Sequence, residues 1–178
     1  VWWQQTRHFE ARHRVIRFDH RSFGRSTCAP EHFHPRHFVA DLLAVLDAEG
    51  VERAALVCQS MGGWTGLHTA LQHPERVACL VLCGTPAGIA SEAVLAAATR
   101  IGRRSASEGI RGNAALAPDF PQREPARAHL YDLISGLNNG FDPAGLARLF
   151  DPAARVDPAR LAGFTVPSLL VAGAQDQL

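Results

Sequence analysis

The stretch that most constrains the fold is Cys58-Gln59-Ser60-Met61-Gly62-Gly63. It follows a short apolar run, Ala54–Val57, and precedes a run with helical character, Trp64–Gln72. A serine between the end of a strand and the start of a helix needs a sharp turn that lifts its side chain clear of the sheet. Crowding around such a turn favours small residues on both sides, and the chain has cysteine two positions before Ser60 and glycine two positions after it. The stretch therefore predicts a strand–turn–helix unit with Ser60 at its apex.

The segments around this turn alternate between strand-like and helix-like patterns, which predicts a mostly parallel α/β sheet with flanking helices. Trp2–Glu10 is expected to be the end of a helix that leads into a strand. Further strands are expected at Arg14–Phe18, Arg53–Cys58, Val77–Cys83 and Val166–Ala172, and further helices at His37–Glu49 and Trp64–Gln72. In the last of these helices Gly62, Gly66 and Ala70 recur every four residues. That face carries no bulk, so we expect the helix to lie close against the sheet.

Composition changes after Pro86 to a stretch rich in alanine and arginine without a convincing strand. Helical patches are expected there at Ser91–Ile101, Pro125–Leu137 and Asp142–Phe150. We interpret residues 87–163 as a helical cap inserted between two parts of one core, residues 1–86 and 164–178. The alternative is that these helices simply cover the sheet.

Composition and charge exclude several functional classes. The formal net charge is +1, which provides no basic surface for nucleic acid. No apolar run approaches the roughly 20 residues that span a bilayer, so no membrane partner is expected. The four cysteines, Cys28, Cys58, Cys79 and Cys83, show neither metal nor redox spacing. We interpret them as buried thiols of a reducing, cytoplasmic compartment.

A histidine-rich segment raises the alternative of a metal site. His32, His34 and His37 lie beside Glu31, and imidazoles at short spacing can bind zinc. Pro35 interrupts the segment and no further ligand motif is evident. A solvated loop leading into a helix is therefore the preferred interpretation, and we expect neither a metal nor a cofactor.

Five segments in chain order resemble the α/β-hydrolase superfamily. Cys58–Gly63 is similar to its G-x-S-x-G nucleophile elbow, with cysteine at a usual glycine. The other four are Trp2–Gln5 (the helix before a central strand), Phe18–Ser26 (a D-x-R-G-x-G-x-S loop with Ser22 at a usual glycine), His73–Val77 (H-P-E-R-V) and Val166–Asp176 (a strand and its acidic loop). The resemblance implies that fold, with a cap insertion.

The resemblance also implies roles for individual residues. Ser60 would be the nucleophile, Asp176 the acid that orients a histidine, and the backbone N–H of Met61 one donor of an oxyanion hole. The substrate would be a small ester, lactone or related carbonyl compound, cleaved through an acyl-enzyme on Ser60. Other interpretations of these residues are a helix-capping Ser60, a turn-forming Asp176, and Glu92 as the acid.

Two parts of that machinery are not found in the 178 residues. The family order is serine, acid, histidine, and only Gln177 and Leu178 follow Asp176. The second oxyanion donor would lie in a segment before Trp2. We therefore expect an internal part of a longer hydrolase, truncated at both ends. The histidines His20, His68, His73 and His129 do not occupy the family's position for the base.

The resemblance leaves the reaction open. The same scaffold hosts cofactor-free peroxidases, C–C bond hydrolases and acyltransferases, and fold alone does not fix function. A catalytically incomplete binding protein is a further alternative, because a histidine in the required place is missing. The sequence does not indicate an oligomeric state.

Overall fold

The computed structural model describes residues 2–97, 99–100, 116–137 and 143–176. Their centre is a three-stranded parallel sheet of order β1-β2-β3, with β1 at Ala54–Gln59, β2 at Val77–Cys83 and β3 at Ser168–Val171. The α-helices are α1 (Trp3–Phe9), α2 (Phe38–Ala48), α3 (Gly62–Gln72), α4 (Phe120–Arg123) and α5 (Pro125–Ser135). Residues 92–97 and 99–100 are also helical. Short 3₁₀ helices lie at Pro30–His32, Pro35–His37, Pro74–Arg76, Pro143–Phe150, Pro152–Ala154 and Pro158–Leu161.

Helix α3 packs on the sheet and joins it to α2. Leu67 and Ala70 of α3 are buried with Leu42 and Leu46 of α2 in the main apolar core. The predicted small-residue face is confirmed at Gly66, where a Cβ would lie 2.5 Å from Cys58 Sγ and 2.8 Å from Leu80 Cδ1. The helix therefore lies closer to β1 and β2 than any larger residue at this position would allow.

The opposite face of the sheet is not covered by the described residues. Along β1, Leu56 and Cys58 are buried while the alternate residues are exposed. Every residue of β3 is exposed, and Leu170 is 75% exposed. The almost continuous apolar run of β2 is typical of a strand buried on both faces, which requires helices on both sides of the sheet. The described helices supply that cover on the α3 side alone.

Most predicted elements are confirmed to within a few residues. The strand expected at Arg14–Phe18 is wrong: these residues have no strand conformation. A strand requires a hydrogen-bonded neighbour, and no described segment pairs with them in a ladder. Arg14 instead forms an ion pair with Glu49 at the end of α2, and Phe18 packs against the main core. The helix expected from Asp142 is a 3₁₀ helix, Pro143–Phe150, and Asp142 lies outside the described residues.

The cysteines are less buried than the sequence suggested. All four are free thiols, but only Cys58 is buried; Cys28, Cys79 and Cys83 are half-buried. Cys79 and Cys83 lie on the uncovered face of the sheet, opposite Ala55 and Gln59 of β1. The missing cover on that face is the physical reason. In the described part of the chain, no helix is both long and apolar enough to cross a membrane.

Candidate active site

Ser60 lies in a strained, exposed turn between β1 and α3. Its φ is +48°, in the left-handed region that costs an L-residue roughly 1–2 kcal/mol. Its N–H donates to the Cys83 carbonyl at 3.1 Å, and its carbonyl accepts from the Gly63 N–H at 2.9 Å. The sheet and the first turn of α3 thus hold this conformation from both sides. The turn predicted from the sequence is confirmed.

The residues around Ser60 are small because space is lacking. A Cβ on Gly63 would lie 2.2 Å from Thr85 Oγ1, so α3 begins in contact with the segment that follows β2. Cys58 fills the space beneath Gly66. Burial raises the pKa of the Cys58 thiol to about 12, and Cys83 adds to this while the Gly66 backbone acts in the opposite direction. Cys58 is therefore a protonated packing group and not a rival nucleophile.

Met61 presents its backbone N–H at the start of α3. Met61 is the N-cap of this helix, and the first N–H groups of a helix have no partner within it. No acceptor for the Met61 N–H lies among the described residues. Such a group can bind an anionic oxygen. Its predicted role as an oxyanion donor is compatible with this position and stays a prediction.

Asp176 lies at the same end of the sheet as Ser60. Its carboxylate Oδ2 is 3.3 Å from the place that a Cβ would take on Gly84, directly after β2. The Gly84 N–H donates to the Val171 carbonyl at 2.8 Å, and the Asp176 N–H donates to the Gly173 carbonyl at 3.0 Å. The Cys83 carbonyl accepts from the Ser60 N–H. Ser60 and Asp176 are therefore next to two consecutive residues at the end of β2, Cys83 and Gly84. Glu92, the alternative acid, is exposed in the helix that includes residues 92–97.

None of the four histidines considered as bases is hydrogen-bonded to Ser60. His20 Nε2 lies 3.4 Å from Thr65 Oγ1, His68 Nε2 lies 3.2 Å from the Ala154 carbonyl, and His73 Nδ1 lies 3.5 Å from a Glu75 carboxylate oxygen. His129 is exposed on α5. These side chains therefore interact with other groups or face solvent.

Two of those histidines are held in the neutral form. Burial lowers the pKa of His20; the Asp41 carboxylate opposes this effect and Arg21 adds to it. Burial also lowers the pKa of His68, and its contact with the Ala154 carbonyl opposes this. The His20 ring packs against Phe38 of α2, and the His68 ring lies against the segment around Ala154.

The histidine-rich segment forms two short 3₁₀ helices, and two of its imidazoles have hydrogen-bond partners within the protein. His34 Nδ1 accepts from the Arg36 N–H at 3.1 Å, and His37 Nε2 accepts from the Arg36 side chain at 3.1 Å. Over the described ranges, no group of three or more His, Cys, Asp or Glu side chains is placed to hold a metal ion.

An aromatic layer behind the turn was not predicted. Trp64 is 4% exposed and packs with Phe33, Phe38 and Leu149. Its indole N–H donates to the Leu149 carbonyl at 2.9 Å. The two residues are 85 positions apart. Any residue at position 149 offers the same backbone carbonyl, so the sequence does not reveal this hydrogen bond. Only the buried tryptophan itself hinted at a partner, since a buried indole N–H usually has an acceptor.

Comparison with known proteins decides the family. A family model described as the alpha/beta hydrolase fold matches residues 1–124. The chain belongs to the α/β-hydrolase family. Its parallel sheet with the strand–turn–helix unit at Ser60 is the arrangement expected of this fold, as the resemblance of the five segments implied.

Individual relatives support the same assignment. The chain is 28% identical over 182 residues to 3-oxoadipate enol-lactonase 2 of Acinetobacter baylyi, covering 99% of this chain and 66% of the relative. It is 33% identical over 180 residues to the putative carbamate hydrolase RutD of Variovorax paradoxus, covering 95% and 66%. The crystal structure of a hydrolase from Pseudomonas aeruginosa PA01 superposes with a TM-score of 0.73 at 28% identity, covering 97% of this chain and 66% of that one. This α/β-hydrolase chain thus spans 66% of the length of these two curated relatives.

Proposed function

We propose that the protein is a serine-dependent hydrolase of a small ester, lactone or related carbonyl compound, acting through an acyl-enzyme on Ser60. The observation that carries this proposal is the exposed Ser60 held at φ +48° between β1 and α3. A serine in a strained conformation at the end of a strand indicates a functional demand on its side chain. A helix-capping role would require no such strain.

Each group has a defined task in the proposed reaction. The Ser60 hydroxyl attacks the substrate carbonyl carbon while a base removes its proton, and the Met61 N–H stabilises the oxyanion of the tetrahedral intermediate. Collapse of that intermediate expels the alcohol, which takes up the proton. Water then attacks the acyl-enzyme and releases the carboxylic acid. Asp176 orients the base and stabilises its protonated form.

The base would be a histidine from outside these 178 residues. The four candidates inside the chain interact with Thr65, Ala154 and Glu75 or face solvent. In the family order the histidine follows the acid. Two relatives are named an enol-lactonase and a putative carbamate hydrolase, and these activities favour attack on an acyl carbonyl carbon. The segment between the two core parts would cap the pocket.

Labelling of the full-length protein with a serine-reactive fluorophosphonate tests the proposal. We expect covalent labelling that Ser60→Ala abolishes and that Ser135→Ala, a change of an exposed serine at the end of α5, leaves intact. Asp176→Asn should slow labelling by up to about 10⁴-fold, whereas Asp132→Asn on α5 should not. Labelling that survives Ser60→Ala unchanged would refute the nucleophile, and an Asp176→Asn variant as fast as wild type would refute the acid.

A further inference from the structure

A second apolar cluster lies apart from the main core and touches the Ser60 turn. We call it the elbow-side cluster; its buried members are Phe33, Phe38, Trp64 and Leu149. Met61, the residue after Ser60, packs against it, as does Phe150. The cluster therefore joins three distant parts of the chain: the loop that contains Phe33, the first turn of α3, and the segment around Leu149.

The segment of residues 145–156, here called the strap, is fixed to this cluster by side chain to backbone hydrogen bonds. The Trp64 indole N–H donates to the Leu149 carbonyl at 2.9 Å. From the strap itself, the Arg148 guanidinium donates to the Phe33 carbonyl at 3.0 Å and to the Pro30 carbonyl. Gly145 lies so close to Phe33 that a Cβ would be 3.2 Å from its ring. The first half of the strap is thus held from α3 and from the loop.

The second half of the strap is held along the same helix. His68, one turn after Trp64, lies with Nε2 3.2 Å from the Ala154 carbonyl. The Val156 N–H donates to the Gly88 carbonyl at 2.8 Å. A Cβ on Gly88 would lie 3.0 Å from both the Ala154 carbonyl oxygen and Trp64 Nε1. Gly88 therefore lies against both Trp64 and the second half of the strap.

We propose that Trp64 is a positioning residue that couples the strap to the nucleophile turn. Trp64 follows Ser60 by four residues in the first turn of α3, and Met61 packs against the same cluster, so we expect a shift of its ring to displace Met61 and Ser60. The inference rests on the proposed role of Ser60 and deepens it: the strap forms a fixed wall beside the nucleophile, and Trp64 sets the distance between them. A small space beside Trp64, large enough for about one water molecule, is lined in part by Ile89, Phe150 and Arg155.

Trp64→Phe in the full-length protein tests this coupling, because it keeps an aromatic ring and removes the indole N–H. The control is Trp3→Phe, a change of a residue that is 53% exposed on α1. We expect fluorophosphonate labelling about three- to tenfold slower in Trp64→Phe, as loss of one hydrogen bond predicts, and wild-type labelling in Trp3→Phe. We also expect faster amide hydrogen exchange in peptides 60–67 and 148–156, with peptide 38–48 of α2 unchanged.

Amide hydrogen exchange tests the coupling independently of the proposed role of Ser60. If the wild-type protein is not labelled, the role of Ser60 fails; faster exchange in both peptides then still supports the coupling. Unchanged exchange in peptide 60–67 of Trp64→Phe overturns the coupling, whatever the labelling shows. If Trp64→Phe does not fold, Arg148→Met releases the strap from the loop without touching α3. Faster exchange in both peptides then supports the coupling, and a change confined to 148–156 overturns it.

Discussion

At the scale of single residues, two of the three strained non-glycine positions that the structure describes are functional or glycine positions of the family pattern. Among the described residues, three non-glycine residues have positive φ: Ser22 at +68°, Ser60 at +48° and Ala87 at +51°. Ser22 replaces a usual glycine of the D-x-R-G-x-G-x-S loop, and its φ explains why glycine is usual there. Strain at Ser60 accompanies a proposed chemical role, whereas no such role is proposed for Ser22.

Ser22→Gly should therefore stabilise the protein. Removing the Cβ relieves the left-handed conformation, so we expect the free energy of unfolding to rise by about 1 kcal/mol. Loss of the Ser22 Oγ contact with Cys28 Sγ, at 3.0 Å, offsets only a small part of that gain. Urea denaturation measures the change. Ser26→Gly in the same loop, where φ is not positive, should instead destabilise the protein by about 0.5–1 kcal/mol. Equal shifts of the same sign in both variants would contradict the strain argument.

The geometry of the candidate site was partly open to prediction from single residues. The small residues near Ser60 indicate its turn, because crowding selects their size at Gly63 and Gly66, although Gly62 meets only ordinary contacts. The nearness of Asp176 to Gly84 follows from chain order in a parallel sheet, which the strand pattern also predicts. Trp64 could not be assigned in this way: its partner is the backbone of Leu149, and any residue at that position offers the same carbonyl.

At the scale of elements, α3 depends on a close approach that small residues alone permit. A Cβ at Gly66 would meet Cys58 Sγ and Leu80 Cδ1, both inside van der Waals contact, whereas at Gly62 the nearest atom, Cys58 Cβ, is 3.8 Å away. The two glycines lie one turn apart on the same helix. Alanine substitutions at Gly62 and Gly66 therefore separate the packing cost of an added methyl group from its effect on helix propensity.

Gly66→Ala should destabilise the protein, and Cys58→Ala should relieve part of that loss. Overpacking costs about 1–3 kcal/mol and exceeds the gain of up to about 1 kcal/mol in helix propensity. Gly62→Ala, which meets ordinary contacts, should be neutral or slightly stabilising. Thermal or urea unfolding of the four variants, including the Cys58→Ala/Gly66→Ala double variant, measures these changes. Additive effects of Cys58→Ala and Gly66→Ala would contradict direct contact between the two side chains.

Local patterns predicted some elements better than others. The helix α2 and the strands β1 and β2 follow from apolar periodicity, since each buries a face that its own sequence encodes. Arg14–Phe18 has the same apolar character but no ladder in the described chain. A segment forms a strand only when a second strand pairs with it through backbone hydrogen bonds. The apolar pattern of the segment itself does not indicate whether such a partner strand is present.

At the scale of the whole molecule, the sheet presents apolar surface that the described residues leave open. Leu169, Leu170 and Val171 of β3 are 57%, 75% and 48% exposed, and Val57 of β1 is 45% exposed. The outer edge of β3 has no partner strand in the described ranges. Exposed apolar edge strands are templates for association with further chains. The 178-residue chain by itself should therefore associate through β3.

Leu170→Lys should reduce this association. A lysine on an edge strand opposes strand pairing because its charge would have to be desolvated between chains. The matched control is Leu137→Lys, since Leu137 is 74% exposed but lies in the turn after α5 and not on a strand. Sedimentation velocity over a range of concentrations should show less association for Leu170→Lys and wild-type behaviour for Leu137→Lys. Equal reductions would indicate that added net charge, and not the β3 edge, controls association; an unchanged distribution in Leu170→Lys would show that the chains meet elsewhere.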